Sequence, residues 1–199
     1  MADWPRTLLP RRNTDFDVPG PFISKAQSGR VNTRSTNQAG RTWTEEYLLK
    51  VSDVTAKAFL AKVRQIWRDG EIFTIDHRDY LAPNGDGGGT PIVNGASQTG
   101  SSLIISGATA STADWLMVGD IFTLAGVNTV YEVISDASTT ASGTTTLAIS
   151  PPIVTAPSNS AALTVSAVKV RAVILEPPDM PETGPDDFGV LSVKFSEAL

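Results

Sequence analysis

The densest group of residues that could do chemistry in this 199-residue chain is Asp76-His77-Arg78-Asp79. In a hydrolase, His77 would act as a general base and would be oriented by Asp76 or Asp79. The segment is predicted to be a strand, so neighbouring side chains point to opposite faces and Asp76 cannot share a site with His77. We therefore interpret the group as the exposed end of a strand.

A glycine-rich stretch at residues 84–89, NGDGGG, could cradle a phosphate or hold calcium. It lacks the Lys-Ser/Thr and helix that follow a phosphate-binding loop, and it lacks the carboxylates and distal Glu of a calcium loop. The stretch is therefore predicted to be a flexible linker.

A third group is acidic and lies near the end of the chain, at Asp179, Glu182, Asp186 and Asp187. These carboxylates could bind a cation or form a catalytic pair, but their spacing matches no metal site and no paired acid and base. A solvated or interfacial acidic loop is the simpler interpretation. The hydrolase alternative would use these carboxylates or Asp76 and His77.

The residue inventory excludes several kinds of chemistry. The chain has no cysteine and a single histidine, so disulfides, thiol catalysis, iron–sulfur clusters and metal sites with several imidazoles cannot be built from one chain. We predict that the protein is not an enzyme, and that it has no catalytic, cofactor-binding or metal-binding residues and no cofactor.

Charge is distributed unevenly within a net charge of −5. Residues 1–80 carry 13 Lys and Arg against 10 Asp and Glu, whereas residues 173–199 carry 1 against 6. The arginines near the start could bind nucleic acid or an acidic face of a neighbouring copy, and the acidic tail favours the second partner. These arginines are Arg6, Arg11, Arg12, Arg30, Arg34 and Arg41. No nucleic-acid binding is expected.

Membrane insertion and secretion are not expected either. No apolar run approaches the roughly 18 residues that a membrane-spanning helix needs. Residues 1–12 lack the apolar stretch of a secretory signal.

The ends of the chain predict a β-rich core with one helix. Residues 1–22 contain four prolines and are predicted to be an extended arm, of a kind that often lies on a neighbouring subunit. Strands are predicted at 40–51, 73–80 and 188–199, the first with Trp43, Glu45, Tyr47 and Leu49 on one face. An apolar stripe between Asp53 and Gly70 predicts the helix, at about 53–69.

The middle of the chain has a different composition and is predicted to be a separate insert. From Leu81 to about Ala172, roughly half of the residues are Gly, Ala, Ser or Thr. Short strands at near-regular spacing favour a small barrel. They are predicted at 102–106, 120–124, 129–134, 145–149 and 163–170, and residues 168–175 lead out of the insert. The predicted fold is mainly β with one helix: a β-sandwich core of residues 1–80 and 173–199, interrupted by a β-barrel-like insert at 81–172.

Four tryptophans could line a sugar-binding platform. Trp43 fits a strand and Trp67 lies on the helix stripe, so both are predicted to be core residues, and Trp4 lies in the arm. The exposure of Trp115 stays open. Together with Tyr131 it motivates an alternative function, a carbohydrate-binding module for attachment to a host cell surface.

Both parts of the chain resemble a known family. The core segments GRTWTEEY (40–47), RQIWRDG (64–70), EIFTIDH (71–77) and FSEAL (195–199) resemble the distal tail (Dit-like) tail-tip hub proteins of long-tailed, siphovirus-type bacteriophages. The insert segments VGDIFTLAGVNTVYEVISD (118–136) and TTLAISPP (145–152) resemble a small β-barrel module of phage tail proteins.

This resemblance implies a structural virion protein of the phage tail, made in the host cytoplasm. It implies a subunit that forms a ring, typically hexameric, between the tail tube and the baseplate or tail-tip hub. The implied partners are other copies of the chain, the tail tube protein, and the hub, baseplate and tape-measure proteins.

Overall fold

The computed structural model describes residues 2–5, 7–17, 22–25, 31–34, 40–76, 80–179, 181 and 187–198. The chain divides into two compact units. The first unit consists of residues 1–75 and 171–199, and the second consists of residues 76–170. The division into a core domain of residues 1–80 and 173–199 and an insert domain of residues 81–172 stays a prediction.

Among the described residues, the predicted fold class, mainly β with one helix, is confirmed. Before the helix the strands are β1 Ala2–Asp3, β2 Arg12–Asp17, β3 Phe22–Lys25, β4 Val31–Arg34 and β5 Thr42–Lys50. The helix is α1 Val54–Asp69, and it is followed by β6 Phe73–Asp76. The second unit contains β7 Gly89–Val93, β8 Gly100–Ala108, β9 Ile121–Leu124, β10 Val130–Val133, β11 Thr145–Ile153 and β12 Leu163–Thr164. The last strands are β13 Lys169–Ile174 and β14 Phe188–Glu197.

The first unit is built on a six-stranded sheet in the order β1-β6-β13-β14-β5-β2. At its centre β14 runs antiparallel to β5, with Phe188 opposite Lys50 and Ser196 opposite Thr42. Alternate residues of both strands are buried, as the sequence pattern predicts for strands with one face on a core. Glu45 stays on the buried face of β5 beside Trp43 and Tyr47, although its charge interrupts the apolar pattern.

Helix α1 forms where its apolar stripe and its end signals coincide. Its buried face consists of Ala56, Phe59, Leu60, Val63 and Ile66. Trp67, predicted to be a core residue, is only half-buried. At the end of the helix Gly70 takes a left-handed conformation (φ 58°), and its N–H donates to the carbonyls of Ile66 and Trp67. A side chain would strain this conformation, which is why glycine suits the position.

The start of α1 makes a testable contribution to stability. The backbone N–H of Thr55 donates to Asp53 Oδ1 at 2.6 Å, and this bond holds the pKa of Asp53 below its ordinary value of 3.8. A lowered pKa in the folded state stabilises the fold above the unfolded-state pKa, and the stabilisation is lost as pH falls through the lowered value.

Because Asn caps helices about as well as Asp, Asp53→Asn should leave the thermal midpoint at neutral pH nearly unchanged. It should also reduce the loss of stability that we expect in the wild type at pH values below 3.8. Asp53→Ala, which loses the cap, should lower the midpoint at neutral pH. Thermal unfolding curves of the three proteins across this pH range test the cap. Equal acid sensitivity of the wild type and Asp53→Asn would contradict it.

The start of the N-terminal arm packs on its own chain, whereas the sequence predicts an extended arm of a kind that often lies on a neighbouring subunit. β1 pairs in parallel with β6, and the N–H of Trp4 donates to the Thr74 carbonyl at 2.8 Å. The Trp4 side chain is buried, with ring centroids 4.9 Å from both Phe73 and Phe195. The first residues of the arm therefore belong to the core of the first unit.

The second unit is a six-stranded sheet in the order β12-β9-β10-β11-β8-β7, and its two edges meet. The N–H of Val93 donates to the Ala161 carbonyl, the N–H of Ser160 donates to the Val93 carbonyl, and Ile92 bridges to Ala162. These contacts nearly close the sheet into the predicted barrel. Its interior is filled by aliphatic and aromatic side chains that include Leu103 and Ile105.

Two predicted details of this barrel are wrong. Strand β7 was not predicted, because its sequence GTPIV follows the glycines of the supposed linker. The predicted strand at 163–170 is broken after Thr164, since the chain turns at Ala167, where φ is 47°. The strand predicted at 73–80 spans Phe73–Asp76, and residues 77–79 lie outside the described part of the chain.

Candidate functional site

The most highly organised polar group of the second unit is centred on Asp120, which is only 2% exposed. Its Oδ1 accepts from the backbone N–H of Asn84 at 2.6 Å and from Asn84 Nδ2 at 3.0 Å. Its Oδ2 accepts from the backbone N–H of Met117 at 2.8 Å and of Gly85 at 3.2 Å. One buried carboxylate thus accepts four hydrogen bonds and joins the start of the glycine-rich stretch to the turn before β9.

The glycine-rich stretch is therefore anchored along its length, and the prediction of a flexible linker is wrong. The N–H of Gly87 donates to the Trp115 carbonyl at 2.9 Å, and Trp115 Nε1 donates back to the Gly88 carbonyl at 2.8 Å. A Cβ on Gly85 would lie 2.5 Å from the carbonyl oxygens of both Asp114 and Trp115, so only glycine fits there. These contacts join residues that are distant in sequence, so no local sequence pattern predicts them.

The aromatic residues proposed to bind sugar lie inside the barrel. Trp115 is fully buried, Tyr131 is 2% exposed, and the Tyr131 ring stacks on Phe122 with centroids 5.6 Å apart. A sugar platform needs an exposed ring face, so these two residues do not form one in this structure. Trp115, whose exposure the sequence left open, is a core residue of the insert.

The proposed catalytic groups are not assembled into a site among the described residues. Asp76 ends β6, while His77, Arg78 and Asp79 lie outside the described residues. Glu182 and Asp186 also lie outside them. The described residues contain no group of three or more His, Asp or Glu arranged to hold a metal ion.

Two members of the acidic group have structural contacts. The Asp187 carbonyl accepts from the Val51 N–H at 2.9 Å, and Asp187 Oδ2 accepts from the Ser52 N–H at 3.3 Å. Asp179 is exposed and forms a backbone bridge with Ser192 of β14. Both acids therefore border the central strands of the first unit's sheet.

The predicted role of the arginines in contacts between copies does not extend to Arg41. This residue is 2% exposed, and its backbone N–H donates to Glu197 Oε2 at 3.0 Å. Arg11 is exposed, while the side chains of Arg6, Arg12, Arg30 and Arg34 lie outside the description. A buried guanidinium cannot meet an acidic partner without unfolding part of the unit.

Polar side chains inside the first unit, which the sequence did not predict, connect the N-terminal residues to β5. Trp4 Nε1 donates to the Tyr47 hydroxyl at 3.0 Å, and that hydroxyl donates to Glu45 Oε2. Glu45 is fully buried and Glu197 is 6% exposed. Buried carboxylates with hydrogen-bond donors fix the positions of their neighbours, and we interpret these as structural rather than catalytic.

Within the described residues, no helix is both long enough and apolar enough to span a membrane.

Comparison with known families finds one match. Residues 80–168 match the family model described as "Distal tail protein pb9, B domain", over a little under half of the chain. The matched segment coincides with nearly all of the second unit. No curated protein sequence matches the chain significantly. The resemblance to phage distal tail proteins is thus confirmed over this segment, and the match supports a structural, non-enzymatic role and a place in the virion tail.

Proposed function

We propose that this chain, whose residues 80–168 match the B domain of a phage distal tail protein, is a ring-forming subunit at the far end of a phage tail tube. In this position it connects the tube to the baseplate or tail-tip hub. The family match is the observation that carries the proposal. The ring, its six-fold order and its neighbours are our inference.

The architecture of the first unit supports a role in assembly. Its sheet takes strands from both ends of the chain, and the second unit is inserted between β6 and β13. A core unit that carries a second compact unit suits a connector, since one unit can join the ring while the other contacts a neighbour. The proposed neighbours are the tail tube protein on one side, and the hub, baseplate and tape-measure proteins on the other.

The chemistry of the described residues also fits a structural component. The Asp120 carboxylate is occupied by four hydrogen bonds inside the fold, and Trp115 and Tyr131 fill the barrel interior. These side chains hold the second unit together, so they are unavailable to a substrate.

Two measurements test the proposal. Light scattering of the purified chain should give a mass near six times 21.1 kDa, and that mass should fall as salt screens charged contacts between copies. Antibody labelling of intact phage particles viewed by electron microscopy should place the chain at the distal end of the tail. Labelling confined to the head or the head–tail junction, or particles that lack the protein, would overturn the proposal.

A further inference from the structure

The outer face of the first unit's sheet carries an apolar patch made of Leu48, Phe188 and Val190. Val190 lies opposite Leu48 in the β14–β5 pairing, and Phe188 is two residues away on the same face. The three side chains are 49%, 50% and 44% exposed. Directly opposed residues have Cβ atoms about 5 Å apart, so they form one continuous surface. We call these three residues the outer-sheet patch.

Charged residues of both signs surround the outer-sheet patch. Glu46 is opposite Ser192 on the same outer face, Asp179 bridges to Ser192 from the other side of β14, and Asp187 precedes Phe188. Two lysines are also near. Lys194 already binds Glu176, with Nζ 2.8 Å from Oε1, and Lys50 lies opposite Phe188. A third cation, Arg12, lies opposite Glu46 in the β2–β5 pairing. The patch is therefore apolar at its centre and has a rim of mixed charge, in which Glu46 and Asp179 lie on either side of Ser192.

The outer face of α1 has the complementary character. Val54, Lys57, Ala61, Arg64 and Arg68 follow one another at helical spacing on the side opposite the buried stripe, and we call them the helix outer face. All five are exposed, and Val54 is 81% exposed. Within the described residues, the three cations of this face form no ion pair.

These two faces point in opposite directions within one copy. The buried side of α1 packs on the inner face of the sheet, where the ring centroids of Phe59 and Tyr47 are 4.9 Å apart. One copy therefore cannot join its own helix outer face to its own outer-sheet patch. A second copy can make this contact. In the resulting pair, one copy still has a free outer-sheet patch and the other still has a free helix outer face. Contacts of this head-to-tail kind build closed rings or filaments.

We propose that the outer-sheet patch of one copy binds the helix outer face of the next copy, and that this is the contact that repeats around the ring. The inference rests on the proposed ring and specifies its interface. Apolar side chains meet at the centre, while Arg64 and Arg68 face the two acids at the rim, Glu46 and Asp179. An acidic helix face or a strongly basic patch would have no such complement.

A charge exchange tests this contact in the full-length chain. Arg64→Glu with Arg68→Glu should weaken self-association about tenfold or more, because two like-charged surfaces then meet. Glu46→Lys with Asp179→Lys should weaken it equally. An equimolar mixture of the two variants, or all four changes in one chain, should restore assembly, because opposite charges face each other again. Sedimentation velocity over a range of concentrations measures each protein.

A control variant separates this contact from a general effect of charge. Thr146→Glu with Thr155→Glu adds acid at exposed positions of the second unit and should assemble like the wild type. If Arg64→Glu/Arg68→Glu associates as strongly as the wild type, this interface is wrong. It is also wrong if neither the mixture of the two variants nor the fourfold variant regains assembly. Either result leaves the proposed role in the tail intact. A wild type that stays monomeric and binds duplex DNA through Arg64 and Arg68 would also overturn this interface. The proposed function is judged separately, by labelling of the virion.

Discussion

Asp120→Asn should destabilise the second unit by about 3 kcal/mol, because the amide replaces one acceptor oxygen with a donor that faces N–H groups. In the wild type, both carboxylate oxygens accept hydrogen bonds, from Asn84, Gly85 and Met117. The substitution keeps the size of the side chain, so its cost comes from lost hydrogen bonds rather than from a cavity. Asp120→Ala removes every acceptor and should cost more.

The effect should be local to one unit, which makes it measurable by hydrogen exchange. Amides in residues 84–89 and 103–105 should lose protection in Asp120→Asn, while amides of β5 and β14 keep it. The thermal transition of the second unit should shift to lower temperature, and a two-unit protein need not unfold in a single step. Trp115 is the one tryptophan between residues 76 and 170, so its indole N–H resonance reports on this unit.

Asp136→Asn provides the matched control for the Asp120 substitution. Asp136 is an exposed acid of the same unit, and its Oδ1 accepts a single hydrogen bond, from the Val118 N–H at 2.8 Å. Its replacement should change stability by well under half as much, because water can satisfy the exposed groups. Equal effects of the two substitutions would show that the four-bond arrangement does not hold the loop.

Much of the secondary structure could be predicted from the sequence because it depends on local periodicity. The alternation in β5 and β14 and the stripe between Asp53 and Gly70 are visible in the residue order. Burial of one face makes such patterns necessary in any chain that forms these elements. The match of residues 80–168 to a distal tail domain shows that the resemblance read from the insert was also sound.

The errors share a physical cause, which is contact between residues distant in sequence. Residues 84–89 have the composition of a flexible linker, yet Asp120 and Trp115 fix them from about 30 residues away. Arg41 looks like a surface cation but is buried beside Glu197, which lies 156 positions later. Composition indicates the conformation that a segment prefers in isolation. The burial of its side chains and their hydrogen-bond partners depend on the rest of the fold.

The N-terminal arm is another segment whose contacts with distant residues the sequence did not predict. Its Trp4 gives the second prediction with a large expected effect. Trp4→Ala should destabilise the first unit by about 3–5 kcal/mol, the usual cost of removing a buried tryptophan. The Trp4 ring contacts Phe59, Phe73 and Phe195, and its Nε1 donates to the Tyr47 hydroxyl. Hydrogen exchange of β5 and β14, together with the thermal transition of the first unit, measures the loss.

Two further variants separate packing from hydrogen bonding at this position. Trp4→Phe keeps an aromatic ring and loses the donor to Tyr47, so it should cost less than Trp4→Ala. Trp67→Ala, at a half-buried helix position, removes the same type of side chain and should destabilise the first unit about half as much as Trp4→Ala.

The Trp4→Ala variant also decides where the arm lies. If it leaves the isolated chain as stable as the wild type but weakens association with other copies, the arm packs on a neighbour. In that case the interpretation drawn from its four prolines was correct. If the first unit loses stability at every protein concentration, the arm is part of its own core, and contacts between copies must be made elsewhere.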